Sequence, residues 1–290
     1  MRHFFLSLYV TIQDFISAVV SSIAVVFFSS IRASKKVRAI KRHADKCLVL
    51  GNGPSLANEV ERVLKLSQEC DTICVNTIYK MDLFWSVKPR FYVFVDPMLF
   101  DKSDKTKKLK EETITAFKKI DWDMTLIIPC YFRKNHIVNE LQSKYVKILF
   151  VNVVPVSKGL NKYRHFIYDK QLGMPKSQNV LNCVLYLTVL WKYKTVYLFG
   201  ADHSWLKDLS VDDENYVLFG QRHAFDKKKE DMQLTRSKQF TMMSLLRDWA
   251  NMFESHMLIQ EYAESKGVSI INCTKNSFID AYPRLIKANI

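Results

Sequence analysis

The stretch CLVLGNGPSL, Cys47 to Leu56, limits the fold more than any other part of this chain. Four apolar residues read as a buried strand, Gly51 and Gly53 break it into a turn, and Pro54 starts a helix. Units of this kind build layered α/β sheets, and many of them hold a phosphate at the turn. The apolar half of the pattern recurs downstream in DTICV (ending at Val75), FYVFV (Val95), TLIIP (Pro129), KILFVNV (Val153), TVYLF (Phe199) and VSII (Ile271). Most of these runs lack polar alternation, as strands covered on both faces do. Helical patterns lie between them: after Ser55, over 106–120, from near Ser177, and over about 235–266, where Gly267 supplies a stop. The expected fold is therefore α/β, a single Rossmann-like domain over 47–290 with a mostly parallel sheet. Residues 200–235 are expected to form an irregular, polar, mobile, lid-like insert.

Before this domain, residues 1–46 read as a membrane-anchoring helix and basic stalk. From Phe4 to Ile31 the only charge is Asp14, and the uninterrupted apolar part, Phe15 to Ile31, is 17 residues, the lower limit for a span. Arg32, Lys35, Lys36, Arg38, Lys41, Arg42 and Lys46 follow directly. Positive charge after the apolar run, not before it, is the reverse of a signal peptide and keeps the downstream domain in the cytoplasm, at the inner membrane. An anchor, spanning or interfacial, is expected to meet membrane lipid; an ordinary core helix is the alternative. The chain carries a formal charge of +14 over 290 residues, which favours anionic partners. No arginine-rich tail or aromatic-interleaved basic motif points to nucleic acid. The six cysteines form no CxxC pair and read as small buried hydrophobes in a reducing compartment, without metal.

Ligands of open parallel sheets bind beyond the carboxyl ends of the strands, so those residues are the candidates. They are Gly51, Asn52, Gly53 and Ser55 after the first run, Asn76 after the second, Asp96 and Pro97 after the third, and Gly200, Asp202 and His203 after TVYLF. The turn is not a dinucleotide fingerprint, because the third glycine is missing and Asn76 stands where an acid is required. It is not a Walker loop either, since no Lys-Ser/Thr pair follows. What remains is a short turn whose Gly51 and Gly53 N–H groups face a ligand, with Asn52 adding an amide and Ser55 a hydroxyl.

With the other strand ends included, the chain resembles the small bacterial sialyltransferases that use CMP-activated nonulosonic acids, together with related nonulosonate and Kdo-type glycosyltransferases. The similar stretches are LVLGNGPSL, ICVNTIY, FYVFVDPMLF, YKTVYLFGADHSW, HAFDKK and INCTKNSFI, in the family's order. The resemblance implies one nucleotide-binding α/β domain with a mobile lid, working without a metal ion or other cofactor. By position it places Gly51, Asn52 and Ser55 along the CMP phosphate and ribose, and Asn76 on nucleotide or donor sugar. Asp96 stands where the family has Asn, and Ser177, Gln178 and Asn179 match a stretch contacting donor and cytidine. Where the family has tyrosines near the leaving phosphate, this chain has Ser204 and His223. The family's base histidine matches near Asn251, five residues short of His256, so His256, Asp202 and His203 are the candidate bases.

Sialyl-type transfer breaks a ketosidic bond while negative charge builds on the departing phosphate, which calls for hydrogen-bond donors there, a cation near the sugar carboxylate and a base for the acceptor hydroxyl. His223 and the helix start near Ser177 suit the phosphate, and Lys176, Arg222 or Lys158 the carboxylate. The reading is a membrane-associated enzyme moving a CMP-activated acidic sugar onto a glycan or glycolipid acceptor, of lipopolysaccharide, O-antigen or capsule type. A pterin-type diphosphokinase with ATP and Mg²⁺ held by Asp96, Asp202 and Asp212 is one alternative; a non-catalytic membrane-bound nucleotide-binding protein is the other. A homo-oligomer stays open.

Overall fold

The computed structural model describes residues 2–101, 103–221, 224, 233–237 and 240–285. Among the described residues ten strands, numbered along the chain, form two sheets. The larger is parallel throughout and holds β1 (Lys46–Leu50), β2 (Cys70–Val75), β3 (Phe91–Val93), β4 (Met124–Pro129), β5 (Val146–Val151), β6 (Thr195–Phe199) and β10 (Ser269–Asn272). All seven apolar runs of the sequence are strands of this sheet. Their spatial order is β10-β6-β1-β2-β3-β4-β5. The chain winds outward from β1 to β5 and then returns to the other side of β1, so strand order reverses between β1 and β6.

Side chains alternate across the sheet as the strand period of two requires. Cys47, Val49, Ile73, Val196 and Leu198 enter one hydrophobic cluster; Leu48, Leu50, Cys74, Tyr197 and Phe199 enter the other. The first face is covered by α7 (Asn161–Asp169), α8 (Val180–Leu190) and α9 (Met242–Lys266), the second by α3 (Val60–Ser67), α4 (Asp82–Val87), α5 (Lys107–Lys118) and α6 (His136–Leu141). Every residue from Val180 to Val189 is buried, so α8 is a core helix without a polar face. Opposite the carboxyl rim, Asp71 locks the base of the sheet. Its Oδ2 accepts from Tyr193 Oη (2.7 Å), Arg90 Nη1 (2.8 Å) and the His43 amide (2.9 Å).

Two expectations are corrected. The described part of the insert is not irregular throughout, because β7 (Ser210–Val211), β8 (Val217–Gln221) and β9 (Gln233–Ser237) form an antiparallel sheet. The last long helix starts at Met242 instead of near 235, since Thr235 pairs with Phe219 in that sheet. Thr241 caps the helix, exchanging hydrogen bonds with Ser244, and Gly267 ends it at φ +66°.

At the amino terminus α1 (Arg2–Phe28) leads through Ser30 into α2 (Ile31–Arg38). The basic stalk is thus partly a helix that buries Ala33, Ser34 and Val37 and packs along β5. The segment Thr11–Phe28 is long and apolar enough to cross a membrane, with a mean hydropathy of 1.8, and only 6% of it is buried. That exposure argues against an ordinary core helix.

Candidate functional site

The strand reversal between β1 and β6 is where a parallel sheet opens a crevice at its carboxyl edge. Here it is a cleft of about 1210 Å³. The strand ends around the reversal deliver residues to it: Asn52, Gly53 and Ser55 from β1, Asn76 and Thr77 from β2, Asp96 from β3, and Gly200, Asp202, His203 and Ser204 from β6. Ser177, Gln178 and Asn179, ahead of α8, close the adjacent side.

The glycine turn serves a different purpose from the one read in the sequence. Gly51 N donates to Phe199 O (2.8 Å) and Gly53 N to Gly200 O (2.8 Å), so both N–H groups join β1 to β6 and neither faces a ligand. A Cβ on Gly51 would strike Gly200 O; on Gly53 it would strike the Asp202 carboxylate and lie 2.7 Å from Gly200 O. The glycines are there because two backbones cross at the reversal point. Gly51 itself does not line the cleft.

Asp202 sits beneath this crossing. Its carboxylate accepts from Ser55 Oγ (2.8 Å), and burial pushes its pKa above the usual carboxylate range against that hydrogen bond. Asn52 Nδ2 donates to Thr77 Oγ1 (2.8 Å), tying the ends of β1 and β2. Asn76 adopts φ +50°, a left-handed conformation fixed by Tyr92 Oη donating to its carbonyl (2.7 Å). Its Oδ1 is buried without a protein partner and lies in a cleft-lining residue, an acceptor position for a ligand. Asp96 accepts from Met98 N (2.9 Å) and is exposed. Asn179 caps α8 by accepting from Leu181 N (2.8 Å), while Ser177 Oγ donates to Asn179 O (3.3 Å).

The structure joins two of the candidate bases into one chain. His203 Nε2 lies 3.2 Å from His256 Nε2, and His256 Nδ1 lies 3.0 Å from Tyr282 Oη. His203 lines the cleft and is 5% exposed; His256, behind it, is fully buried and does not line the cleft. His203 holds φ +50°, and its loop is fixed by Phe278 N donating to Asp202 O (2.9 Å) and Ala201 N to Thr274 Oγ1 (3.0 Å). Burial lowers His203 to about 3, and burial with the adjacent His203 holds His256 well below its ordinary 6.5. Both rings are neutral at physiological pH. When His256 Nδ1–H donates to Tyr282, His256 Nε2 accepts from His203 Nε2–H, leaving a lone pair on His203 Nδ1.

Of the expected cations, Lys158 is paired with Glu254 (2.6 Å), Lys176 does not line the cleft, and Arg222 lies outside the described residues, as does His223. Lys207 and Lys275 line the cleft and form no ion pair with a carboxylate among the described residues. Both escaped the sequence reading, as did Thr77, Tyr282 and the aromatic wall of Trp205 and Trp249. The strand-end rule, carried on to β10, finds Lys275 three residues past Asn272. Asp212 binds Arg236 (2.8 Å) and does not line the cleft, so Asp96, Asp202 and Asp212 do not form one site. Among the described residues no group of three or more His, Cys, Asp or Glu is placed to hold a metal ion.

Comparison with known proteins adds two findings. A family model described as "6-hydroxymethylpterin diphosphokinase MptE-like" matches residues 25–208. The solved Maf glycosyltransferase from Magnetospirillum magneticum AMB-1 superposes with a TM-score of 0.50 at 15% identity, over 89% of this chain. The chain spans 35% of that protein's length, and the likeness is one of fold. No curated protein matches the sequence.

Proposed function

The chain belongs to the MptE-like family, and from that premise we propose that it is a glycosyltransferase that moves a CMP-activated nonulosonic or Kdo-type sugar onto a cell-surface glycan. The fold shared with a solved glycosyltransferase supports the class of reaction. The observation that carries the proposal is His203, a neutral imidazole backed by His256 and Tyr282, set in the cleft at the strand reversal.

In this mechanism the acceptor hydroxyl attacks the anomeric carbon, its proton passes to His203 Nδ1, and the bond to the CMP phosphate breaks. The negative charge of the bound donor offsets the burial that disfavours a charged ring, and His203 shares the gained charge through Nε2 with His256, which Tyr282 orients. Lys207 and Lys275 meet the phosphate and the sugar carboxylate. Asn76 Oδ1 accepts from the nucleotide or donor sugar, and Ser55, Asn52, Ser204 and Ser177 to Asn179 complete the donor site. The acceptor is a lipid-linked glycan of lipopolysaccharide, O-antigen or capsule type, met at the cytoplasmic face of the inner membrane. The exposed apolar α1 and the basic segment after it suit that location.

The family's description favours a second reading, diphosphate transfer from ATP to a pterin. That reaction calls for a divalent ion, and the carboxylates expected to hold it do not converge, with Asp212 turned to Arg236. The nucleotide released separates the two: CMP from a CMP-sugar or AMP from ATP. His203→Asn is expected to lower CMP-sugar turnover by about 10²-fold or more with CMP affinity kept within about threefold. Unchanged turnover in that variant removes His203 as the base.

A further inference from the structure

We infer that the protein docks on a bilayer from one side without spanning it, sharing one leaflet between the outer face of α1 and two side chains of the body, Leu160 and Phe166. One face of α1 is already committed to the body. Ala18, Ser22 and Val25 form a stripe at helical spacing, and this stripe is bound to the body. Ser22 Oγ lies 2.8 Å from Tyr163 Oη, Tyr163 Oη donates to Ala18 O (3.1 Å), and Val25 is buried in the main core. A Cβ on Gly159 would lie 3.0 Å from the Ala18 Cβ, so the approach is close. Asp14, the single charge of the apolar segment, is one turn before Ala18 on the same stripe. The outward faces are therefore free of charge.

Packing against the body excludes a simple span. The apolar segment Thr11–Phe28 reaches about 27 Å at 1.5 Å per residue, so all of it is needed to cross the ~30 Å hydrocarbon core, and Ala18, Ser22 and Val25, which the body holds, lie within it. The body offers its own apolar contact beside the helix. Leu160, Tyr163 and Phe166 share one face of α7 and its cap; Tyr163 binds α1, while Leu160 and Phe166 are 78% and 57% exposed. Around them the charge is positive. Lys170 Nζ lies 5.7 Å from the Phe166 ring, and Arg32, Lys35 and Lys36 of α2 are exposed and form no ion pair among the described residues.

A second copy of the chain is the competing occupant. Tyr9, Ile12, Ile16, Val19, Ile23 and Val26 follow the three-four spacing of a coiled-coil seam. Phe15, Val20 and Phe27 lie outside that seam, and each is at least 60% exposed, so pairing would leave them wet. A lipid phase covers them all, and the adjoining lysines and arginines complement anionic headgroups.

The test uses the full chain in a Cys70→Ser, Cys130→Ser background, with bimane on single engineered cysteines and vesicles of brominated phosphatidylcholine mixed with the anionic lipid phosphatidylglycerol, which basic segments bind. Labels at Val20→Cys, Leu160→Cys and Phe166→Cys are expected to be quenched, and Lys118→Cys on α5 to stay bright. Leu160→Asp with Phe166→Asp should weaken vesicle partitioning by about tenfold or more, with unchanged thermal stability. Quenching at Val20 alone, with wild-type partitioning of the double variant, overturns the shared contact and leaves α1 a separate anchor. Cross-linking of two copies through Val20→Cys without lipid quenching assigns the face to dimerisation, and no vesicle binding at all refutes the proposal outright.

Discussion

The His203–His256 pair predicts how stability depends on pH. Both rings are buried and neutral, and burial holds His203 at about 3 against an ordinary 6.5. Between those values the unfolded chain binds protons that the folded chain does not, so stability present above pH 6.5 is lost as the pH falls. From pH 7 to 5.5 each histidine costs about 1.2 kcal/mol, or about 2.5 kcal/mol for the pair. That is a substantial share of the ~10 kcal/mol typical of a folded domain. Asp202, raised by burial, binds protons more readily in the fold and acts in the opposite direction, but it is present in both proteins compared, so its contribution cancels in the difference of slopes. The assay is urea unfolding at pH 7, 6.25 and 5.5 for the wild type and for His203→Asn with His256→Gln. The variant begins less stable, so the reading is its slope, which should be flatter by about 2.5 kcal/mol across the window. Equal slopes in the two proteins would refute a buried neutral pair.

Four further outcomes follow from the geometry around the cleft and the base of the sheet. Gly53→Ala should lose about 1–3 kcal/mol in urea unfolding, because its Cβ meets Gly200 O and the Asp202 carboxylate. Asn76→Gly keeps the left-handed backbone at no cost yet removes the unpartnered Oδ1; calorimetry should show CMP bound about tenfold more weakly, with stability within about 0.5 kcal/mol of wild type. Arg90→Ala should cost about 3–5 kcal/mol by leaving Asp71 buried beside one fewer cation. Lys88→Ala, which removes an exposed pair with Asp121 and an ammonium 5.5 Å from the Trp122 ring centroid, should cost about 1 kcal/mol or less.

The parallel sheet was legible because its strands are apolar on both faces; CLVL or TVYLF cannot lie at a surface. The rim was legible for the same reason, since strand ends determine which residues converge there. What escaped was information held in pairings distant along the chain. The insert hid its strands because Val217 and Phe219 depend on Thr235 and Ser237 for partners, with a charged stretch between. Helices α4 and α6 are only six residues each, too short for a periodic signal. The glycine turn misled in an instructive way, since a residue type suited to phosphate binding is equally suited to a backbone crossing, and β6 alone distinguishes the two uses. The His203–His256–Tyr282 chain spans elements 53 and 26 residues apart, and no local spacing announces it.

The account rests on the cleft accepting a CMP-activated sugar, and the most direct measurement is thermal unfolding of the full chain with CMP, CDP, UDP, GDP and ATP, each with and without Mg²⁺. At about 100 times its dissociation constant, CMP should stabilise the fold by about 2.7 kcal/mol, a rise of several degrees in Tm that does not depend on Mg²⁺. Stabilisation by ATP with Mg²⁺, and none by CMP, would contradict the account.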